Sequence, residues 1–242
     1  MELFRHLDIE TFSTCNRRCP TCIRNSHPNK EAVQDWFEPH AMPVEMVEDI
    51  LEQARKMIFN GTVCLSHFNE PLMDVRLLEF CQISKSKGFH TYFHTNGDFL
   101  TSGMARMFDG NVDKIVFSLY MNEPAKSQRA TWIKSLFSVT KAEVITQSDH
   151  VISHYSSDPR LQQRIEETSG FSCYEPRLHC IINHRGQYLA CCEDVIGNFD
   201  LGSFPKVSLQ EYWYGMKHTR MVESLKLPGG KQFHSYCSIC PK

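Results

Sequence analysis

Three cysteines on one short loop constrain this chain more than anything else in it. Cys15, Cys19 and Cys22 lie in the run Cys-Asn-Arg-Arg-Cys-Pro-Thr-Cys, directly after residues 7–13, whose apolar and polar side chains alternate as in a strand. Three thiolates at this spacing can hold three irons of a cubic [4Fe–4S] cluster and leave the fourth without a protein ligand. An open iron can bind and activate a small molecule, whereas a fully ligated cluster only passes electrons. Structural zinc sites take four ligands at paired C-x2-4-C spacing, so a lone triplet fits zinc poorly.

The residues beyond the loop predict where it sits. Residues 23–42 are polar and proline-containing, a loop. Pro43 opens a helix with Met46, Val47, Ile50, Leu51, Ala54, Met57 and Ile58 at helical spacing, and Gly61 ends it. Strands are expected at 62–68, 89–95, 114–119 and 143–146, and helices at 74–87, 101–108 and 124–139. Alternating strands and helices imply a parallel sheet with right-handed crossovers. In such sheets functional residues gather on loops after the carboxyl ends of strands. The cysteine loop, the turn Asn69-Glu70-Pro71 and the turn Thr95-Asn96-Gly97 all fall there. His90 and His94 share one strand face, where a structural role outweighs metal binding.

The alternation stops near residue 150. Residues 153–172 read as loop, and 178–183 and 187–191 as a hairpin around Asn183-His184-Arg185-Gly186. Ser208-Leu-Gln-Glu211 is a capping box opening one helix that carries Leu209, Tyr212, Trp213, Met216, Met221 and Leu225 to a core. Gly229-Gly230 breaks the chain before Cys237-x2-Cys240.

Bulk properties narrow the function classes. A net charge of −2 gives no nucleic-acid surface. No apolar run reaches about eighteen residues, so no membrane span is expected. The first residues lack the basic and apolar regions of a signal peptide, which points to the cytoplasm. Disulfides are rare there, so the eleven cysteines need another explanation. Cys64 and Cys81 read as buried free thiols. Cys173 precedes the hairpin, Cys191 and Cys192 end it, and Cys237 and Cys240 close the chain. Four thiolates from these segments could fully ligate a second [4Fe–4S] cluster, and a zinc ribbon is the competing use of the same donors.

The spacing C-x3-C-x2-C resembles the radical S-adenosylmethionine (SAM) superfamily, in which the open iron chelates the amino and carboxylate groups of SAM. Asn69-Glu70-Pro71 is similar to that superfamily's Gly-Gly-Glu segment, with Phe68 and Asn69 in place of the glycines. The resemblance implies that Glu70 binds the SAM ammonium, that Asn96 of Thr95-Asn96-Gly97 contributes to the cofactor site, and that Ser118 contacts SAM. The implied fold is a partial (β/α)6 TIM-like barrel over residues 1–155. A small cysteine-rich hairpin-plus-helix module comes next, at 156–242. The order Gly186…Cys191-Cys192-Glu193-Asp194, Leu201-Gly202, Glu211-Tyr212-Trp213 and Cys237-x2-Cys240 resembles the "twitch" module, a shortened SPASM module. It implies Cys173, Cys191, Cys237 and Cys240 as ligands of an auxiliary cluster, with Cys192 competing with Cys191 and Cys180 left as a core thiol.

The layout is closest to twitch-containing amino-cyclitol alcohol dehydrogenases. Relatives there carry an Asn-Arg-Gly-like stretch facing the substrate, where this chain has Ser153-His154-Tyr155-Ser156, so the cyclitol itself does not transfer. The implied reaction cleaves SAM, takes hydrogen from a small, hydroxylated molecule and passes an electron to the auxiliary cluster, with a flavodoxin- or ferredoxin-type reductant. His67, His154 and Tyr155 are candidates for the base. A peptide-modifying maturase is the first alternative, disfavoured because the first strand begins by residue 7. A redox-neutral epimerase is the second. A glycyl-radical activase is disfavoured by the lack of extra cysteines in 23–63.

Overall fold

A computed structural model describes residues 2–146 and 152–242. Five strands succeed one another in parallel: β1 (His6–Ile9), β2 (Thr62–Cys64), β3 (His90–Thr95), β4 (Lys114–Leu119) and β5 (Lys141–Thr146). They are preceded or joined by α1 (Ile23–Ser26), α2 (Val44–Lys56), α3 (Leu77–Ser86), α4 (Ser102–Phe108) and α5 (Ala125–Ser135). After β5 come α6 (Leu161–Thr168), α7 (Glu175–Leu178), β6 (His179–Ile182), β7 (Tyr188–Leu189), α8 (Leu209–Tyr214) and α9 (Met216–Leu225). The sheet order is β5-β4-β3-β2-β1-β6-β7, an open, mostly parallel sheet and thus the expected partial barrel. The sixth parallel strand lies beside β1 rather than β5, and β7 turns back antiparallel to it. The tail hairpin is therefore hydrogen-bonded into the barrel sheet.

Strand alternation divides the sheet into two faces. Leu7, Ile9, Val63, Phe93, Ile115, Phe117 and Ile182 join Val47, Ile50 and Leu51 of α2 and Leu77 and Phe80 of α3 in one wholly buried apolar core. The other face carries Asp8, Cys64, Tyr92 and Lys114 in a single register row. It is polar: His179 Nδ1 lies 2.7 Å from Asp8 Oδ2, and the His6 and His179 rings stack at 4.5 Å. Among the described residues no helix is long and apolar enough to cross a membrane.

Several expected elements differ in extent. β1 ends at Ile9, because residues 11–13 leave the sheet to pair with 40–42: Met42 N donates to Thr11 O (2.9 Å) and Ser13 N to His40 O (3.0 Å). The expected loop at 153–172 contains α6, whose amphipathic stripe is only Leu161, Ile165 and Thr168. The single helix expected after Ser208 is two. Gly215, at ψ 152°, breaks it, and a Cβ there would stand 2.4 Å from Glu211 O. The capping box forms as expected, with Ser208 and Glu211 bonded reciprocally.

Candidate functional site

The cysteine loop leaves the C-terminal end of β1 and is fastened by the two neighbouring strand ends. Glu70, buried after β2, donates its N–H to Thr14 O (2.9 Å). Its carboxylate accepts from Thr95 Oγ1 (2.5 Å), Leu72 N (3.1 Å) and Asn96 N (2.7 Å). Asn96 then reaches the loop, donating to Asn16 Oδ1 at 2.8 Å and lying 3.8 Å from Cys15 Sγ. Asp98 receives Arg17 through two bonds of 2.6 Å and Asn16 at 2.7 Å. Glu70 and Asn96 are thus brought to the cysteines. Ser118 lies nearly buried at the end of β4 and joins none of these bonds.

Burial pushes the Cys15 and Cys19 thiols up, and each also feels the charge of its neighbours in the triplet. Arg24, on α1, pulls both back down. Its side chain is 1% exposed, yet among the described residues its hydrogen bonds go only to the Trp36 and Arg17 carbonyls (3.1 Å each), its guanidinium lies 5.2 Å from the centre of the Phe37 ring, and its Nε has no hydrogen-bond partner. A buried cation without an anion costs several kcal/mol, on the order of the penalty for breaking a buried pair. An anionic thiolate-bound cluster on this loop would supply that missing charge, so these residues fit the group. Arg17 N also points at Cys15 Sγ (3.4 Å).

The tail thiols form a second group. Cys237 feels Cys173 and Cys240, Cys240 feels Cys173, and Cys191 feels Cys240. Burial pushes all four up, while the wholly buried Lys231 lowers Cys173, Cys237 and Cys240. Cys192 Sγ accepts from Lys242 Nζ at 3.2 Å, and Cys191 also feels the charge of Cys192. Cys180 is wholly buried in the core. Among the described residues no three His, Cys, Asp or Glu side chains converge as on a single ion. A cubane, several times wider than one zinc ion, holds its thiolates further apart.

Two connections join the groups. A small apolar patch of Ile23, beside Cys22, with Val33, Trp36 and Val195 lies between them. The segment 153–156 is clamped from both sides. Ser153 Oγ donates to Thr21 O (2.6 Å) and Ser26 Oγ to His154 O (3.2 Å). On the other side Glu193 accepts from His154 N (2.9 Å) and contacts Nδ1 (3.0 Å), while Nε2 meets Tyr236 O (3.0 Å). Burial alone would raise the Glu193 carboxyl, but His154 and Lys242 hold it below its ordinary value.

These contacts sort the candidate bases. Both ring nitrogens of His154 are occupied, so it pins the segment. Tyr155 stands at φ +60°, edge-on to His27, and lines a cavity of about 490 Å³ with Phe199, Phe233 and Tyr236. Burial lowers His67 to about 4, and its Nε2 has no partner. Glu10 and His184, which no sequence motif singles out, form a buried pair with Oε2 and Nδ1 at 2.9 Å. The pair of Asp8 with His179 is equally unmarked. The available signal was Asp8 and Glu10 at alternate positions of a strand in a two-sided parallel sheet, where charges are misplaced unless one face is polar.

The sequence pattern of the radical SAM superfamily matches residues 9–130, half of the chain. The S-adenosyl-L-methionine-dependent 2-deoxy-scyllo-inosamine dehydrogenase of Niallia circulans is 23% identical over 246 residues, covering 99% of this chain and 93% of its own. A tungsten-containing aldehyde ferredoxin oxidoreductase cofactor-modifying protein of Pyrococcus furiosus is 26% identical over 116 residues, 48% of this chain and 30% of its own. The crystal structure of BtrN in complex with AdoMet and 2-DOIA superposes with a TM-score of 0.79 at 22% identity, covering 100% of this chain and 94% of that one. AdoMet-bound anSMEcpe gives a TM-score of 0.59 at 15% identity, over 98% of this chain and 84% of that one. The chain belongs to the radical SAM superfamily, whose members use SAM and a [4Fe–4S] cluster.

Proposed function

We propose that this protein is a radical SAM dehydrogenase that oxidises a hydroxyl of a small molecule to a ketone. Residues 1–155 form the SAM-cleaving part and 156–242 the auxiliary part. Cys15, Cys19 and Cys22 hold the first [4Fe–4S] cluster, and Cys173, Cys191, Cys237 and Cys240 a second. When bound, these groups supply a 5′-deoxyadenosyl radical and a one-electron acceptor. The protein's own side chains do the rest. Glu70 has three of about four acceptor positions filled, leaving one for the SAM ammonium. Asn96 and Ser118 flank it. The clamped segment 153–156 and the Ile23–Val195 patch exclude water between the two thiol groups.

The observation that carries this proposal is the second thiol group, gathered from three segments and tied to the first through His154. A redox-neutral radical reaction needs no such electron acceptor. The substrate class rests on the dehydrogenase relative and its nearly full-length coverage of both chains. A flavodoxin- or ferredoxin-type protein in the cytoplasm would supply the starting electron.

Anaerobic enzyme with reductant and SAM should release 5′-deoxyadenosine and a ketone in equal amounts from a cyclitol or aminocyclitol. Epimerised product with SAM cleavage and no ketone would mark a redox-neutral enzyme. Turnover of peptides alone would mark a maturase.

A further inference from the structure

Six buried side-chain nitrogens or oxygens among the described residues have no hydrogen-bond partner. Five of them, on Arg24, His40, His67, Asn69 and His184, belong to segments around the C-terminal ends of β1, β2 and β6. Folded proteins leave few such groups, and each needs a reason. Four of these five are linked side by side. The His184 ring meets Trp36 edge-on at 4.6 Å and lies parallel to His40 at 5.9 Å. Trp36 meets Phe68 at 5.2 Å, and Phe68 meets His67 at 4.2 Å. Asn69 Oδ1 accepts from His67 N at 3.0 Å. Trp36 packs in the buried apolar cluster with Ile23, which follows Cys22, and with Val195, which lies just after Cys191 and Cys192, so the orphaned atoms lie beside the loop that bears the first cysteine group.

Their chemistry selects the ligand. Arg24 Nη2 is bonded to Arg17 O on the cysteine loop, and the four that remain are three imidazole nitrogens and one amide. An anionic ligand would be met by Arg or Lys through charge-assisted bonds. Hydroxyls both donate and accept, and suit this mixture. The His184 ring also has a defined polarity. Glu10 Oε2 accepts from Nδ1 at 2.9 Å, while Glu10 Oε1 accepts from Phe68 N at 3.0 Å. A hydrogen on Nδ1 leaves Nε2 with a free lone pair. His184 is 4% exposed and Glu10 0%.

We propose that His184, held by Glu10, takes the hydroxyl proton of a neutral, polyhydroxylated substrate whose other hydroxyls are bound by His67 and Asn69. This rests on the dehydrogenase function proposed above. Oxidation of the alcohol breaks one C–H and one O–H bond. The hydrogen atom goes, with one electron, to the SAM-derived radical. The O–H proton goes to His184 Nε2, the remaining electron goes to an iron–sulfur acceptor, and the C–O bond becomes double. Glu10 is the positioning residue: its carboxylate fixes the ring and stabilises the imidazolium as it forms. His67 lacks such a carboxylate, and at about 4 its ring is too weak a base near neutral pH.

The test uses reconstituted enzyme with reductant, SAM and a panel of cyclitols, aminocyclitols and sugar alcohols, measuring ketone and 5′-deoxyadenosine against pH. His184→Gln should lower kcat for ketone by about 10²–10⁴-fold, as loss of a general base does, with a nearly unchanged KM and SAM cleavage retained. His184→Gly should regain turnover with added imidazole. Glu10→Gln should lower kcat less and move the acid limb of the pH profile, while His67→Gln raises KM and spares kcat. Full kcat with an unaltered pH profile in His184→Gln would overturn the assignment. So would loss of iron in both His184 variants without imidazole rescue, which marks a structural role. SAM cleavage by the wild type with no ketone from any probe would instead overturn the dehydrogenase function, and this base with it.

Discussion

Glu70→Gln isolates how the cysteine loop is fastened. The substitution keeps shape and replaces one carboxylate oxygen by an NH2. Oε2 faces Asn96 N–H at 2.7 Å, and Oε1 faces Leu72 N–H at 3.1 Å and the Thr95 hydroxyl at 2.5 Å. Either amide orientation sets the NH2 against a backbone N–H, so a buried donor on that side loses its partner. Each such loss costs about 1–3 kcal/mol, and the bonds that survive lose their charge assistance. The expected total is about 2–4 kcal/mol. In a chain of this size 1 kcal/mol moves the midpoint by roughly 2–4 °C, so Tm should fall by roughly 4–16 °C. Thermal unfolding of wild type and variant under anaerobic reducing conditions, at several scan rates, measures this. A fall of less than about 1 °C, under about 0.5 kcal/mol by the same conversion, would refute the claim that this carboxylate ties β2, β3 and the loop together.

Other perturbations read other contacts. Cys191→Ser should lose about four irons of a second cluster, whereas Cys192→Ser should keep them; iron and sulfide analysis separates the two. His154→Ala strips partners from the buried Glu193 and should cost about 2–4 kcal/mol, seen as a lower Tm with SAM cleavage retained. Gly61→Ala drives a Cβ to 2.1 Å from Arg5 O beside β1 and β2, so soluble yield and Tm should both drop. Asp98 is held below its ordinary value chiefly by the Arg17 hydrogen bond. A depressed carboxyl adds stability above its unfolded pKa, about 3.9, and loses it as pH falls through the lower folded pKa. The Tm gap between wild type and Asp98→Asn should therefore be full at about pH 7 and close below about pH 4.

Much of this was legible because it is local. Strand–helix alternation placed the cysteine loop, Glu70 and Asn96 at one end of a parallel sheet, and the capping box at Ser208 formed as read. What escaped is long-range or weakly patterned. β6 returns to the edge of β1 by pairing His6 with His179, a contact between residues far apart in the chain that no periodicity encodes. That same return builds Asp8–His179 and Glu10–His184, so neither pair was visible. α6 has too few apolar residues to show a stripe. The break at Gly215 is set by ψ 152°, and a lone glycine in a helical pattern does not announce it. The order of the cysteines does not encode a choice between Cys191 and Cys192, since both follow the same strand and both meet the last residues of the chain: Cys191 feels Cys240, and Cys192 is bonded to Lys242.

Iron, sulfide and zinc content of anaerobically reconstituted protein, measured beside a Cys237→Ala, Cys240→Ala double variant, tests the two-cluster dehydrogenase most directly. About eight irons per wild-type chain and about four in the variant, with no zinc in either, are predicted. About four irons and one zinc in the wild type, with the zinc lost from the variant, would make the tail a zinc ribbon and contradict it.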